Sequence, residues 1–289
     1  MILTGGFSDK GRHSACEVLI KDLKIPKQVQ NLPKALFVSS LVLHDATILL
    51  CGGHGNQKKC FQLDGGIWKE HSTLVEKRSF HSAVATQSAT FIFGGIDSQT
   101  TYEYLSKDST KWKRGKTEIP GVGFVHGCAI AVNSNQEIWL IGGLEACKRI
   151  LVFNVNNYTF QVLSSQLIVG AIGRRCAYIP NTNKIMITGG FDNGDFLDST
   201  EILDPEDGSV TMASPMNSRR INHGIGVITI NGQNELVVFG GYDGRTRLGS
   251  VEFYNTETEK WEYTDITMNE PKESFAFLTV KRGDIICKV

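Results

Sequence analysis

The chain has 289 residues, 41% hydrophobic and 9% aromatic, enough to build a sizeable core in one large domain or two ordinary ones. Its 30 Lys and Arg balance 30 Asp and Glu, so it has no basic excess of the kind nucleic-acid binding uses, and no apolar run is long enough to span a bilayer. The seven cysteines (Cys16, Cys51, Cys60, Cys128, Cys147, Cys176, Cys287) are odd in number, irregularly spaced and without a C-x-x-C. This predicts reduced thiols in apolar strands, no structural zinc and a reducing, cytoplasmic location.

The first element, MILTGG, is a short apolar run ended by Gly5-Gly6, with neither the charged flank nor the long apolar stretch of a secretory signal. The same phrase returns as TILLCGG, TFIFGG, EIWLIGG, KIMITGG and ELVVFGG, ending at Gly52-Gly53, Gly94-Gly95, Gly142-Gly143, Gly189-Gly190 and Gly240-Gly241. Successive pairs lie 47, 42, 48, 47 and 51 residues apart, and such a period decides the architecture before any local pattern does. Ahead of most pairs stands another apolar run (FHSAVAT, HGCAIAV, NHGIGVITI), and behind them come a third and a shorter fourth.

The third and fourth runs carry a ruler of seven residues: Phe61–Trp68, Leu105–Trp112, Phe153–Phe160, Leu203–Val210 and Tyr254–Trp261, with turn formers between. Large residues at constant spacing across a turn predict a hairpin of fixed register. Each unit therefore reads as four antiparallel strands, A to D. Unit 1 is the exception, since IPKQVQNLP (25–33) offers only a weak fourth strand. A glycine pair at the end of strand B tolerates positive φ and leaves room for the neighbouring sheet, so six pairs predict six sheets around an axis.

The glycine pairs, the tryptophans Trp68, Trp112 and Trp261, and the segment SVEFYNTETEKW together resemble a kelch-repeat β-propeller over essentially the whole chain. Val210 and Phe160 depart from the expected tryptophan. The expected fold is all-β: one six-bladed propeller over residues 1–289, of four-stranded antiparallel blades. The chain opens inside strand B of blade 1, so SFAFLTV (274–280) is expected to return as its strand A and close the ring. DIICKV (Asp284–Val289) resembles a further strand B with no assigned place.

Because A and B are antiparallel, the D–A and B–C loops share one face, which the resemblance implies is the partner-binding face. From the second glycine to Glu17, Glu201 and Glu252 in blades 1, 5 and 6 the count is 11 residues; to Lys59, Glu103 and Leu151 in blades 2, 3 and 4 it is 6, 8 and 8. The long loops should form one continuous raised side. Candidate partner-binding residues there are Arg12, His13, Arg174, Arg175, Arg219, Arg220, Asn222, Tyr242, Arg245 and Arg247, whose guanidinium forks suit an acidic peptide segment. The competing reading is a solvated rim of weak ion pairs.

No catalytic, cofactor or metal set is assigned. His81, His126 and His223 occupy similar places before strand A and are read as caps, and Glu17, Glu103, Glu201 and Glu252 as answering a backbone donor or an arginine between blades. The resemblance implies a protein-interaction module, with substrate recognition for a cullin-type ubiquitin ligase or actin binding as its variants. The BTB and BACK domains that often precede such propellers are not in this sequence. A copper oxidase or sialic-acid mutarotase role is the alternative from another class, and no enzyme activity is expected.

Overall fold

A computed structural model describes residues 1–18, 29–55, 58–121, 123–132, 136–144, 147–230 and 232–279, and shows six radial sheets. Blade 2 runs Ser40–His44, Thr47–Cys51, Lys59–Asp64, Ile67–Thr73. Blade 3 runs Ser82–Ala85, Ala89–Phe93, Tyr102–Ser106, Lys113–Arg114, and blade 4 Cys128–Val132, Glu137–Ile141, Arg149–Asn154, Thr159–Gln166. Blade 5 comprises Arg175–Tyr178, Ile185–Thr188, Thr200–Leu203 and Val210–Ala213; blade 6 comprises Gly224–Ile230, Gln233–Phe239, Ser250–Asn255 and Lys260–Thr267. Each is antiparallel in the order A-B-C-D. Blade 1 is assembled from both ends of the chain: Ala276–Leu278 pairs with Ile2–Thr4, which pairs with Cys16–Val18. The weak strand expected within 25–33 lies partly, and that of 284–289 wholly, outside the described residues.

Alternation along the strands builds the core. Phe91 and Phe93 of blade 3 pack toward blade 4, joining Leu140 and Phe153, while Ile92 between them points to blade 2 and joins Leu49 and Trp112. Six such wedges, one per blade interface, make up the interior. Burying one such side chain is worth about 1.5–3 kcal/mol, so each interface is held by a large apolar contribution.

The glycine pairs sit where adjacent sheets come closest. Gly94 has φ +62°, and a Cβ there would lie 1.7 Å from the Phe124 carbonyl oxygen. The N–H of the second glycine, Gly95, donates to that same oxygen at 2.8 Å. Gly6, Gly53, Gly190 and Gly241 donate equivalently to Leu36, Arg78, Arg220 and Lys272.

Closure is visible at the axis as well. Just before strand A of every blade one residue adopts positive φ: Val38, Phe80, His126, Gly173, Asn222 and Ser274. Their backbones form a cyclic belt, in which each N–H donates to the belt carbonyl of the preceding blade, and Val38 donates to Ser274 at 2.8 Å to complete the circle.

The structure corrects two expectations. Phe153, Leu203 and Tyr254 do face Phe160, Val210 and Trp261, but in blade 2 the residue opposite Trp68 is Leu63. The Gly65-Gly66 turn, with both residues at positive φ, tightens that hairpin, and a register shift at Cys60/Phe61 absorbs the difference. Four cysteines are also paired: Cys51 with Cys60 across strands B and C, and Cys128 with Cys176 between the A strands of blades 4 and 5. Cys128 and Cys176 are 48 residues apart, about one repeat, which the ring turns into adjacency. Irregular spacing along the chain hid both pairs.

Candidate functional site

Buried ion pairs carry the loops of the D–A/B–C face. Glu252 on strand C of blade 6, fully buried, accepts the N–H groups of Asn217 and Ser218 at 2.6 and 3.1 Å and Arg220 Nη2 at 2.8 Å. Arg220 also donates to the carbonyls of Gly240 and Ser250. Glu103 repeats the arrangement with Val75, Glu76 and Arg78; Glu201 accepts the Ile168 and Val169 N–H groups likewise but takes its cation from Arg174, three residues beyond the arginine position, which Ala171 occupies. Glu17 takes the N–H of Asn269 at 2.6 Å and pairs with Lys272 at 3.3 Å. The expectation for these four glutamates holds: each answers backbone donors and a cation of the preceding linker.

The two blades that lack the glutamate lack its partner too. Strand register places Phe61 and Leu151 at the glutamate position, and the glycine-bonding register places Leu36 and Phe124 at the arginine position. Leu36 packs in one cluster with Phe61, and Phe124 in another with Leu151. This register also corrects the loop count: Phe61, not Lys59, is the equivalent in blade 2, which gives 8 residues in all three short loops.

Each long loop folds as an extra small hairpin or turn. In blade 1, Phe7–Ser8 pairs with Gly11–Arg12; in blade 5, Phe191–Asp192 pairs with Asp195–Phe196 around Asn193-Gly194, both at positive φ. In blade 6, Tyr242 bridges Arg247 while Asp243 Oδ1 accepts the N–H groups of Arg245 and Thr246, each at 2.7 Å. These three projections touch. Phe196 meets Tyr242 edge-on at 5.4 Å, and Arg247 lies 5.7 Å from the Tyr242 ring centroid and 4.6 Å from that of Phe7. Arg247 pairs with Asp9 and Glu273, Phe7 lies 6.2 Å from Phe37, and Arg12 covers Phe37 at 5.1 Å. The result is a continuous, half-buried ledge of aromatic rings and arginines along blades 5, 6 and 1 as far as the linker into blade 2.

A kelch motif model matches residues 175–217 and 223–264, which are blades 5 and 6. Kelch-like protein 23 of Mus musculus is 26% identical over 211 residues, 70% of this chain and 35% of that protein; its Homo sapiens counterpart is 26% identical over 204 residues, covering 68% and 34%. Spermatocyte protein spe-26 of Caenorhabditis elegans is 21% identical over 236 residues, covering 74% and 39%. With six blades closed in a ring and the motif in two of them, the family follows. The chain is a kelch-repeat propeller. It spans about a third of the length of the curated relatives it matches.

Within this kelch propeller the sequence-selected residues divide. Arg12, Arg219 and Arg245 are exposed, and His13, Tyr242 and Arg247 are partly exposed on the rim, with His13 held by Ser8 and facing Glu270. Arg174 and Arg220, 3% and 0% exposed, are corrected to interior roles, because Glu201 and Glu252 hold them inside the fold. Asn222 belongs to the axial belt, and Arg175 lines a central cavity. The rings Phe7, Phe191 and Phe196 were missed. Phe7 and Phe191 had a signal, since a Phe or Tyr follows the glycine pair directly only in blades 1, 5 and 6; Phe196 had none.

The histidines of the kelch propeller are not all equivalent. His81 and His223 share one position, while His126 sits one residue earlier, in the belt, with its ring centroid 3.7 Å from that of Phe80 and tilted by 31°. Burial lowers the His81 pKa to about 3 and that of His126 to about 4, so both rings are neutral at physiological pH. Among the described residues no group of three or more His, Cys, Asp or Glu is placed to hold a metal ion.

Proposed function

We propose that this propeller is a protein-recognition module whose partner lies across the ledge of blades 5, 6 and 1, binding rather than turning over what it holds. The kelch fold and the kelch-like relatives support a protein-interaction module in general. The observation that carries the location is the contact among the three long loops, which builds a surface of Tyr, Phe and Arg, residue types that dominate binding hot spots. Arg12, Arg219 and Arg245 are exposed around it and favour a segment bearing carboxylates.

Proximity labelling in the native cell tests this reading. Tyr242→Ala combined with Arg245→Glu should remove the dominant labelled partner, with a loss of about 2 kcal/mol or more when binding to that partner is measured. Lys111→Glu, on the C–D turn of blade 3 and the opposite face, should leave labelling unchanged. Equal labelling by both variants would remove the ledge as the site. A cullin adaptor among the labelled proteins would extend the reading to ligase recruitment, and co-sedimentation with filaments would redirect it to actin.

A further inference from the structure

Arg175, half-buried at the start of strand A in blade 5, is the cation that the ion-pair scheme leaves out. Arg78, Arg174, Arg220 and Lys272 each meet a buried glutamate. Arg175, the first residue of strand A in blade 5, donates from Nε to the His223 carbonyl and from Nη1 to the Arg174 carbonyl, both at 3.1 Å. Among the described residues its Nη2 meets no acceptor and no carboxylate lies against it. Burial alone lowers its pKa, to about 10, so the guanidinium remains charged at neutral pH.

The side chain lines a central cavity of about 210 Å³, bounded by strand A and the residues before it in blades 1 to 5. Among the described residues no Asp or Glu lines this cavity and Arg175 is its one cationic residue, since the His81 and His126 rings at its wall are neutral. Ser40 and Ser82 occupy the Arg175 position in blades 2 and 3, where their hydroxyls donate to the carbonyls of His81 and Gly127. The wall is thus neutral apart from one guanidinium. A half-buried guanidinium with one edge unused is only partly compensated, and a planar two-oxygen anion matches that free edge of the fork. One positive charge in a small neutral chamber balances one negative charge, which favours a carboxylate over a dianionic phosphate.

We propose that the central cavity is a binding site for a single carboxylate group anchored by Arg175. The group is either that of a small monocarboxylic acid or that of an Asp or Glu side chain inserted by a partner. The site is separate from the ledge and does not depend on it.

Calorimetric titration of the full chain with butyrate and with its neutral isostere butyramide tests the charge requirement, and N-acetyl-glutamate amide tests the side-chain source. Butyrate should bind at least tenfold more tightly than butyramide, and Arg175→Gln should lose that preference. Arg175→Lys should retain part of it, while Tyr242→Ala should leave it unchanged. Should Arg175→Gln not fold, phenylglyoxal labelling of the wild-type protein followed by peptide mapping gives the same information. The carboxylate should slow modification of Arg175 at least threefold and leave exposed Arg245 unaffected. Binding of butyrate alone identifies a free acid as the source, and binding of the capped glutamate identifies a partner side chain. No preference of either carboxylate over its amide, or equal protection of Arg175 and Arg245, overturns the proposal.

Discussion

Arg219 and Arg220 are neighbours in sequence with opposite fates: one is exposed, the other has no exposed surface and pairs with a carboxylate 32 residues away. Removing one member of a buried pair leaves the other charge uncompensated, which costs about 3–5 kcal/mol. Arg220→Ala should therefore lower stability by about that much in urea unfolding, whatever it does to binding. The protein also contains its own compensating design, since Leu36 with Phe61 and Phe124 with Leu151 replace both charges together. Arg220→Leu combined with Glu252→Phe should recover more than half of the loss, and additive single-variant effects would refute the equivalence. The buried neutral histidines supply a pH dependence, and His81 shows its sign. Its native pKa of about 3 lies below the ordinary 6.5, so between those values the unfolded chain binds the proton and the native chain does not. Stability is full above pH 6.5 and declines as pH falls, by about 2 kcal/mol from this ring by pH 5. Urea midpoints measured from pH 7.5 to 5 should fall less steeply in His81→Gln.

Elements recur because the apolar alternation recurs, and their ends recur because glycine is required where sheets meet. At Gly94 a methyl group would collide with the Phe124 carbonyl in a backbone conformation L-residues rarely adopt, whereas at Gly11, φ +102°, nothing lies within 4 Å. Gly94→Ala should cost more than about 2 kcal/mol and Gly11→Ala about 1, as read by thermal unfolding. The length of the B–C loops was legible in the sequence, and so was their placement side by side. Their conformation was not, because the contacts of Phe196 with Tyr242 and of Arg247 with Phe7 cross between blades. The Cys128–Cys176 pair was hidden for the same reason, whereas Cys51–Cys60 closes within blade 2; with four cysteines paired, the cysteines no longer point to a compartment.

Over the whole molecule, the ring is held shut by three features of different chemistry. They are the ladder of Ile2–Thr4 with Ala276–Leu278, the buried Glu17–Lys272 pair and the backbone belt through Val38 and Ser274. All three join residues 2–38 to residues 272–278, so they should fail together. Truncation after Ser274 removes the inner partner of Ile2–Thr4 and uncovers Met1, Leu3 and Phe239. Hydrogen exchange at residues 2–4 should then rise to the level of exposed loops, and the single urea transition should broaden. An unchanged transition would show that blade 1 is held without its returning strand.

Blade number, strand order within a blade and the returning strand were all determined by the sequence itself, because repetition and two-residue periodicity are properties of neighbouring residues. The apolar stripes and glycine pairs needed no knowledge of what they touch. Tertiary structure alone decided which arginines are internal, which cysteines meet, and that Arg175 faces a cavity where no described residue brings a counter-charge. Those outcomes depend on partners on other strands, and a shift of one residue in strand register reverses which side of the sheet a side chain faces.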